Sequence, residues 1–174
     1  MRRRFQELVR EYQDRIYNFA CYCLGDRVEA EDVTQEVLIR LWRNLDRIEP
    51  QGMWPWLLRV TRNAAIDTLR RRGTYRSFQE EDPEGEAAQR APSRMPGPDA
   101  LAESADLQRQ LVRALRELPE PYRSIVVLRE IQDLRYDEIA SALDLPLTTV
   151  KVYLHRGRRM LRRRLREFAP HDVE

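Results

Sequence analysis

The chain of 174 residues has two cysteines, six glycines, one lysine and no strictly apolar run longer than Phe19 to Leu24. Each scarcity excludes something. Two cysteines cannot make a disulfide framework, and Cys21 and Cys23, two positions apart, point to different sides of any helix. They read as small core residues rather than as a metal or redox pair. A zinc site would need further ligands at suitable spacing, and the only histidines are His155 and His171. No metal and no cofactor are expected. A six-residue apolar run falls far short of the roughly 20 residues that span a bilayer. The start Met1-Arg2-Arg3-Arg4 leads into an amphipathic pattern rather than a secretory signal, so a cytoplasmic protein is expected. With 42% hydrophobic and 34% charged residues the chain is too apolar to be disordered and too charged for a membrane protein. Few glycines beside abundant Leu, Arg, Glu and Ala predict an all-α fold.

Lysine is almost wholly replaced by arginine, 30 to one. Arginine is the better fork for phosphates and base edges, although a genome rich in G and C would give the same bias. The net charge of +2 is an average over unlike parts. Ser77 to Glu103 holds four prolines, two glycines, seven acids and two bases, a net −5 that leaves +7 for the rest. This stretch reads as a flexible acidic linker, with a span of roughly 26 Å over its middle part. It divides two small basic helical modules, 4–76 and 104–168, which could hold separate sites on something large.

In the first module Leu8, Val9, Tyr12, Ile16, Phe19, Ala20 and Cys23 recur at helical spacing over Phe5 to Leu24, and Gly25 ends the helix. A second helix, about Ala30 to Leu45, separates Val33, Val37, Leu41 and Leu45 from Asp32, Gln35, Glu36, Arg40 and Arg43 on the opposite side. Ile39 and Trp42 lie on or beside the polar side. An exposed aromatic framed by acids reads as a docking face with an anchor, or else as a solvated face with a half-buried Trp. A metal-carboxylate reading of Glu31, Asp32 and Glu36 is weaker, because no matching ligand helix accompanies them. A loop with two prolines and a glycine, Asp46 to Pro55, precedes a helix from Trp56 to Arg72. There Leu57, Leu58, Thr61, Ala65 and Leu69 face inward, and Trp56, Arg59, Asn63, Asp67 and Arg70 face out. Charge for phosphates, a flat ring for unstacked bases and an amide for a base edge suit a single-stranded nucleic-acid site. A solvated helix with arginines at its C-terminal end shares those features.

In the second module a Leu107, Leu111, Leu115, Leu118 helix stops near Pro119 and Pro121, and Tyr122 to Gln132 forms the next. Tyr136 to Leu143, a turn of three residues and a helix opening at Leu147-Thr148-Thr149 outline a helix-turn-helix. Ile139, Leu143, Leu145 and Val150 would fill the space between its helices, with Ala140 small at their crossing. On the last helix Lys151, Val152 and His155 are base-edge candidates, and Thr148, Thr149, Arg156, Arg158 and Arg159 are phosphate candidates. Seven arginines in the eleven residues from Arg156 to Arg166 would repel one another without an anionic partner. The alternative is a structural helix pair with a basic tail.

Asp32-Val-Thr-Gln-Glu-Val-Leu-Ile-Arg-Leu-Trp42, Trp56-Leu-Leu-Arg-Val-Thr-Arg-Asn-Ala-Ala-Ile-Asp67, Leu118-Pro-Glu-Pro-Tyr-Arg123 and Tyr136-Asp-Glu-Ile-Ala140 with Thr149-Val-Lys151 resemble, in this order, the extracytoplasmic-function group of bacterial sigma factors. The resemblance implies a promoter-specificity subunit that binds core RNA polymerase, through its β′ clamp helices and β flap, and promoter DNA. Asp32, Gln35, Glu36, Ile39 and Trp42 would meet the clamp helices. Arg47, Trp54, Trp56, Arg59, Asn63 and Arg70 would serve the −10 element, Asn63 matching a position that contacts a flipped base. The helix-turn-helix would take the −35 element. Many members have Gly-Thr-Val-Lys-Ser-Arg where this chain has Thr148-Thr-Val-Lys-Val-Tyr153, losing a polar and a basic group. The resemblance also implies an anti-sigma partner, often membrane-anchored in this group, and no appended regulatory domain is expected. No catalytic chemistry is expected. One rival is a stand-alone helix-turn-helix regulator, which needs neither the Asp32 to Trp42 face nor the Trp56 to Asn63 helix. The other is a nucleic-acid-processing enzyme, for which no carboxylate cluster, nucleophile-base pair or phosphate loop is found.

Overall fold

The structure, a computed structural model, describes residues 1–73 and 101–168, and the expected linker lies for the most part outside the described residues. Helix is the only regular structure among them. The first module comprises α1 (Arg2–Leu24), α2 (Arg27–Asn44), a 3-10 turn at Pro50–Gly52 and α3 (Met53–Arg71). The second comprises α4 (Leu101–Glu117), α5 (Tyr122–Val126), which widens into a π turn at Val127–Ile131, α6 (Tyr136–Leu143) and α7 (Leu147–Phe168). None of the described helices is long and apolar enough to cross a membrane.

Local chemistry sets the boundaries. Gly25 closes α1 in the left-handed conformation at φ 66°, and its N–H donates to the Cys21 carbonyl. Asp26 caps α2 by accepting from the Glu29 N–H at 3.0 Å, so α2 starts three residues before the hydrophobic pattern that predicted it. Likewise α3 starts at Met53 rather than Trp56. Pro55 sits in its first turn, where the N–H that proline lacks would have had no intrahelical partner, so the expected loop is helical from Met53 on. The expected linker ends three residues too late, because Leu101 to Glu103 already belong to α4. Asp144, left-handed at φ 55°, closes α6 and makes the tight turn.

Every residue assigned to the inward side of α2 and α3 is buried, including Val33, Val37, Leu41, Leu45, Leu57, Leu58 and Leu69. Within the helix-turn-helix Ile139, Ala142, Val150 and Leu154 are buried, while Leu143 and Leu145 are half-buried. Two helices approach each other closely at Gly157. A Cβ at Gly157 would stand 2.7 Å from Val126 Cγ2, so the missing side chain is what lets α7 lie against α5. The modules are not separate cores. One buried cluster runs from Ile16 on α1 to Leu154 on α7, with α4 against α1 and α6 against α3.

Candidate nucleic-acid interface and docking face

With its apolar stripe buried, α2 leaves Asp32, Gln35, Ile39 and Trp42 outward, Ile39 at 52% and Trp42 at 40% exposure. The Trp42 ring meets Phe5 edge-on at 5.0 Å, which braces a large apolar side chain that faces solvent. Glu36 pairs with Arg40 one turn on. The Trp42 ring is thus supported from behind and open in front. Behind this face Glu29, Asp32, Glu36, Thr68, Arg71 and Arg72 line a groove of about 300 Å³. Of its carboxylates, Glu29 pairs with Arg72 and Glu36 with Arg40. Among the described residues no cluster of His, Cys, Asp and Glu has the makings of a metal site.

On α3, Arg59, Asn63 and Arg70 are exposed and lie on one side of the helix, and Trp56 is half-buried beside them. Arg47, exposed, lies three residues beyond the last residue of α2. Trp54 differs from its neighbours. Tyr12 stacks on its ring at 5.3 Å and 12°, and the Arg15 guanidinium lies 3.8 Å from the ring centroid. Among the described residues its Nε1–H is the buried side-chain polar atom without a hydrogen-bond partner. Burial, with Glu11 beside it, pushes the Tyr12 hydroxyl up to about 12. Trp54 thus joins the start of α3 to α1 in this conformation, and Trp56 is the more open ring-bearing neighbour of Arg59 and Asn63.

Arg59 is not simply solvated. Its Nη2 donates to the Ser141 carbonyl at 3.1 Å and its Nε to that of Ala142 at 3.5 Å, both on α6. One turn along, Arg62 Nε donates to Ser124 Oγ at 3.2 Å, and Arg62 Nη2 stands 3.6 Å from Glu120 Oε2. Glu120 and Ser124 are buried, and Ser124 Oγ donates to the Glu120 carboxylate at 2.6 Å. Arg123, 1% exposed, donates to the carbonyls of Leu118, Arg116 and, across the module boundary, Cys23. The sequence presents Arg62, Glu120 and Arg123 only as members of motifs, with no role for any of them. An arginine within a helical polar face looks the same whether water or another module covers it.

At the second module's surface Thr148, Lys151, Val152, His155 and Arg156 are exposed and Thr149, Arg158 and Arg159 half-buried, along the N-terminal half of α7. The opposite side is fixed by buried Val150 and Leu154 and by Tyr153 packed edge-on against Tyr122 at 5.2 Å. Arg158 pairs with Glu130 of the π turn at 2.5 Å, Arg164 with Glu117 at 3.3 Å and Arg163 with Glu167 at 3.7 Å. The arginine run is thus partly neutralised from within, which lowers the repulsion expected from the sequence.

The model of sigma-70 region 2 matches residues 8–75, and that of sigma-70 region 4 matches 108–161. The chain is 39% identical over 158 residues to the ECF RNA polymerase sigma factor SigE of Mycolicibacterium smegmatis, covering 91% of this chain and 60% of that protein. It is 32% identical over 168 residues to SigW of Bacillus subtilis, covering 94% of this chain and 89% of that one. Two solved structures share the fold at 22% identity. CnrH in complex with the cytosolic domain of CnrY has a TM-score of 0.71 over 97% of this chain and 92% of that one. The sigma factor RpoE with the anti-sigma factor NepR from Bartonella quintana has a TM-score of 0.68 over 95% and 98%.

Proposed function

The chain belongs to the extracytoplasmic-function sigma factors of RNA polymerase, and from that membership we propose how its surfaces divide the work of promoter recognition. The outward face of α2, Asp32, Gln35, Glu36, Ile39 and Trp42, docks on the clamp helices of the polymerase β′ subunit. The second module meets the β flap. Trp42 and Ile39 supply apolar area that burial rewards, and the acids around them supply charge complementarity and encounter rate. Arg47, Trp54, Trp56, Arg59, Asn63 and Arg70 attend the −10 element. A base leaves the stack at a cost of a few kcal/mol, which ring contact and hydrogen bonds to its exposed edge offset. The row from Thr148 to Arg159 sits on −35 DNA, with Lys151, Val152 and His155 near base edges and Thr148, Thr149, Arg156, Arg158 and Arg159 toward phosphates. The protein has no catalytic step of its own and works in the cytoplasm. Residues 4–76 and 104–168 act as its two modules, and an anti-sigma factor, membrane-anchored in part of the family, is its antagonist.

The observation that carries this reading is segregation. The faces on α2 and α7 lie opposite buried residues of the same helix, so their exposed Ile39, Trp42, Lys151 and Val152 stand outside the core. Incubation with core polymerase and a melted-fork promoter tests it. A ternary complex is expected, and no binding to core at micromolar protein would overturn the reading.

A further inference from the structure

Successive residues of a helix turn by about 100°, so the buried side of α7 fixes which of its residues face out. Val150 and Leu154 are buried, and Gly157 lies against Val126. Val152 stands two residues from Val150 and from Leu154, roughly 160° around the helix from each. It is 47% exposed and points squarely away from the core. Leu147, the other large apolar side chain exposed among the described residues of α7, differs. It falls roughly 20° from Leu154 and so borders the core. Helix propensity does not account for Val152 either, since a β-branched side chain is a weak helix former.

The face around Val152 is polar. Thr148, His155, Arg156 and Arg159 all lie within roughly 60° of it on the helix surface, the first three exposed and Arg159 half-buried. One apolar side chain amid hydrogen-bonding and charged groups suits a partner that is anionic at its rim and carries an apolar spot. In the major groove of DNA the 5-methyl group of thymine is that spot, whereas the distinguishing groups of the other bases are donors and acceptors. Tyr153, the next residue, is half-buried and packs edge-on against Tyr122 at 5.2 Å. Where many family members have Ser-Arg, this chain therefore turns Val152 outward and Tyr153 inward. We infer that Val152 is a specificity-determining residue whose side chain covers the 5-methyl group of one thymine in the −35 duplex and expels water from it. A cytosine there offers no methyl group, and a purine sets polar edge atoms against a side chain that cannot pair with them. The inference rests on the proposed placement of α7 on −35 DNA and names the base chemistry that its central residue reads.

Holoenzyme reconstituted from the full chain and core polymerase, offered promoter duplexes randomised across the −35 element, tests it. The selected site is expected to hold a thymine whose replacement by deoxyuridine, which lacks only the 5-methyl group, weakens binding about fourfold, the worth of one buried methyl group. Holoenzyme carrying Val152→Ser is expected to bind the two duplexes equally. Its helical circular dichroism and thermal stability should be unchanged, since Val152 lies outside the core. A selected site at which no exchange of thymine for deoxyuridine alters affinity overturns the role of Val152 and leaves α7 on the −35 element. A thymine preference that survives undiminished in Val152→Ser does the same, because another group then holds the methyl. Holoenzyme that selects no sequence across the −35 element overturns both this inference and the placement of α7 there.

Discussion

Arg123 is a buried guanidinium whose hydrogen-bond partners are carbonyls at the ends of two helices, α4 and α1. Its planar fork serves three acceptors in different directions, which a lysine ammonium on one stem does not reproduce. Arg123→Ala is expected to cost on the order of 2–4 kcal/mol, since it strands buried carbonyls, and Arg123→Lys most of that. Urea unfolding would measure both. Tyr12 makes a prediction in pH. Its folded value, about 12, lies above the ordinary 10, so its contribution is intact below pH 10 and is lost as pH rises toward 12. Tyr12→Phe is expected to flatten the fall of stability over that window in alkaline melts. At this scale the sequence was legible where one helix face contrasts with another. Asp32, Gln35, Ile39 and Trp42 stand outward as their positions at 100° per residue require. Cross-chain partners were not legible. Arg62 and Ser124 are 62 positions apart, and no periodicity links an arginine on one helix to a hydroxyl on another.

Among elements, α7 depends on a residue with no side chain. Gly157→Ala would gain helix propensity of up to ~1 kcal/mol. It would also force a Cβ to 2.7 Å from Val126 Cγ2 and 3.4 Å from the Tyr122 carbonyl. Overpacking of that kind costs about 1–3 kcal/mol, so a net loss in thermal stability is expected, with partial recovery when Val126→Ala makes room. The element boundaries show why the pattern alone fell short. Asp26 begins α2 by capping, and Pro55 is admitted into the first turn of α3, because both ends are set by orphan amide groups rather than by hydrophobic repeat. On α2, Asp32→Ala with Glu36→Ala is expected to weaken core polymerase binding while leaving affinity for an isolated −35 duplex unchanged, which paired titrations would measure. Equal loss of both would make the face structural.

For the whole molecule, arginines proposed to meet DNA also hold internal partners. Arg158 is held by Glu130, so replacing Arg158 and Arg159 with Ala should reduce the slope of log affinity for −35 DNA against log salt by about one unit per phosphate contact. Glu130→Ala is expected to raise that affinity, because it removes an intramolecular competitor for Arg158. Fluorescence anisotropy at several salt concentrations would read both. The fold class and the helix-turn-helix were legible in the sequence, since both rest on local periodicity. The single core shared by the two modules was not, because the long segment between them hides which faces meet.

All three tryptophans, Trp42, Trp54 and Trp56, belong to the first module. The indole N–H of Trp54 is shut away from solvent beneath the Tyr12 and Arg15 contacts. The chain's intrinsic emission is therefore a one-sided optical report, blind to α5, α6 and α7 except through their grip on α1 and α3. A thermal melt followed by tryptophan emission and one followed by far-ultraviolet dichroism should superimpose while the modules unfold as one body. They should draw apart once that grip is broken, so the gap between two ordinary curves measures how strongly one half of the molecule feels the other.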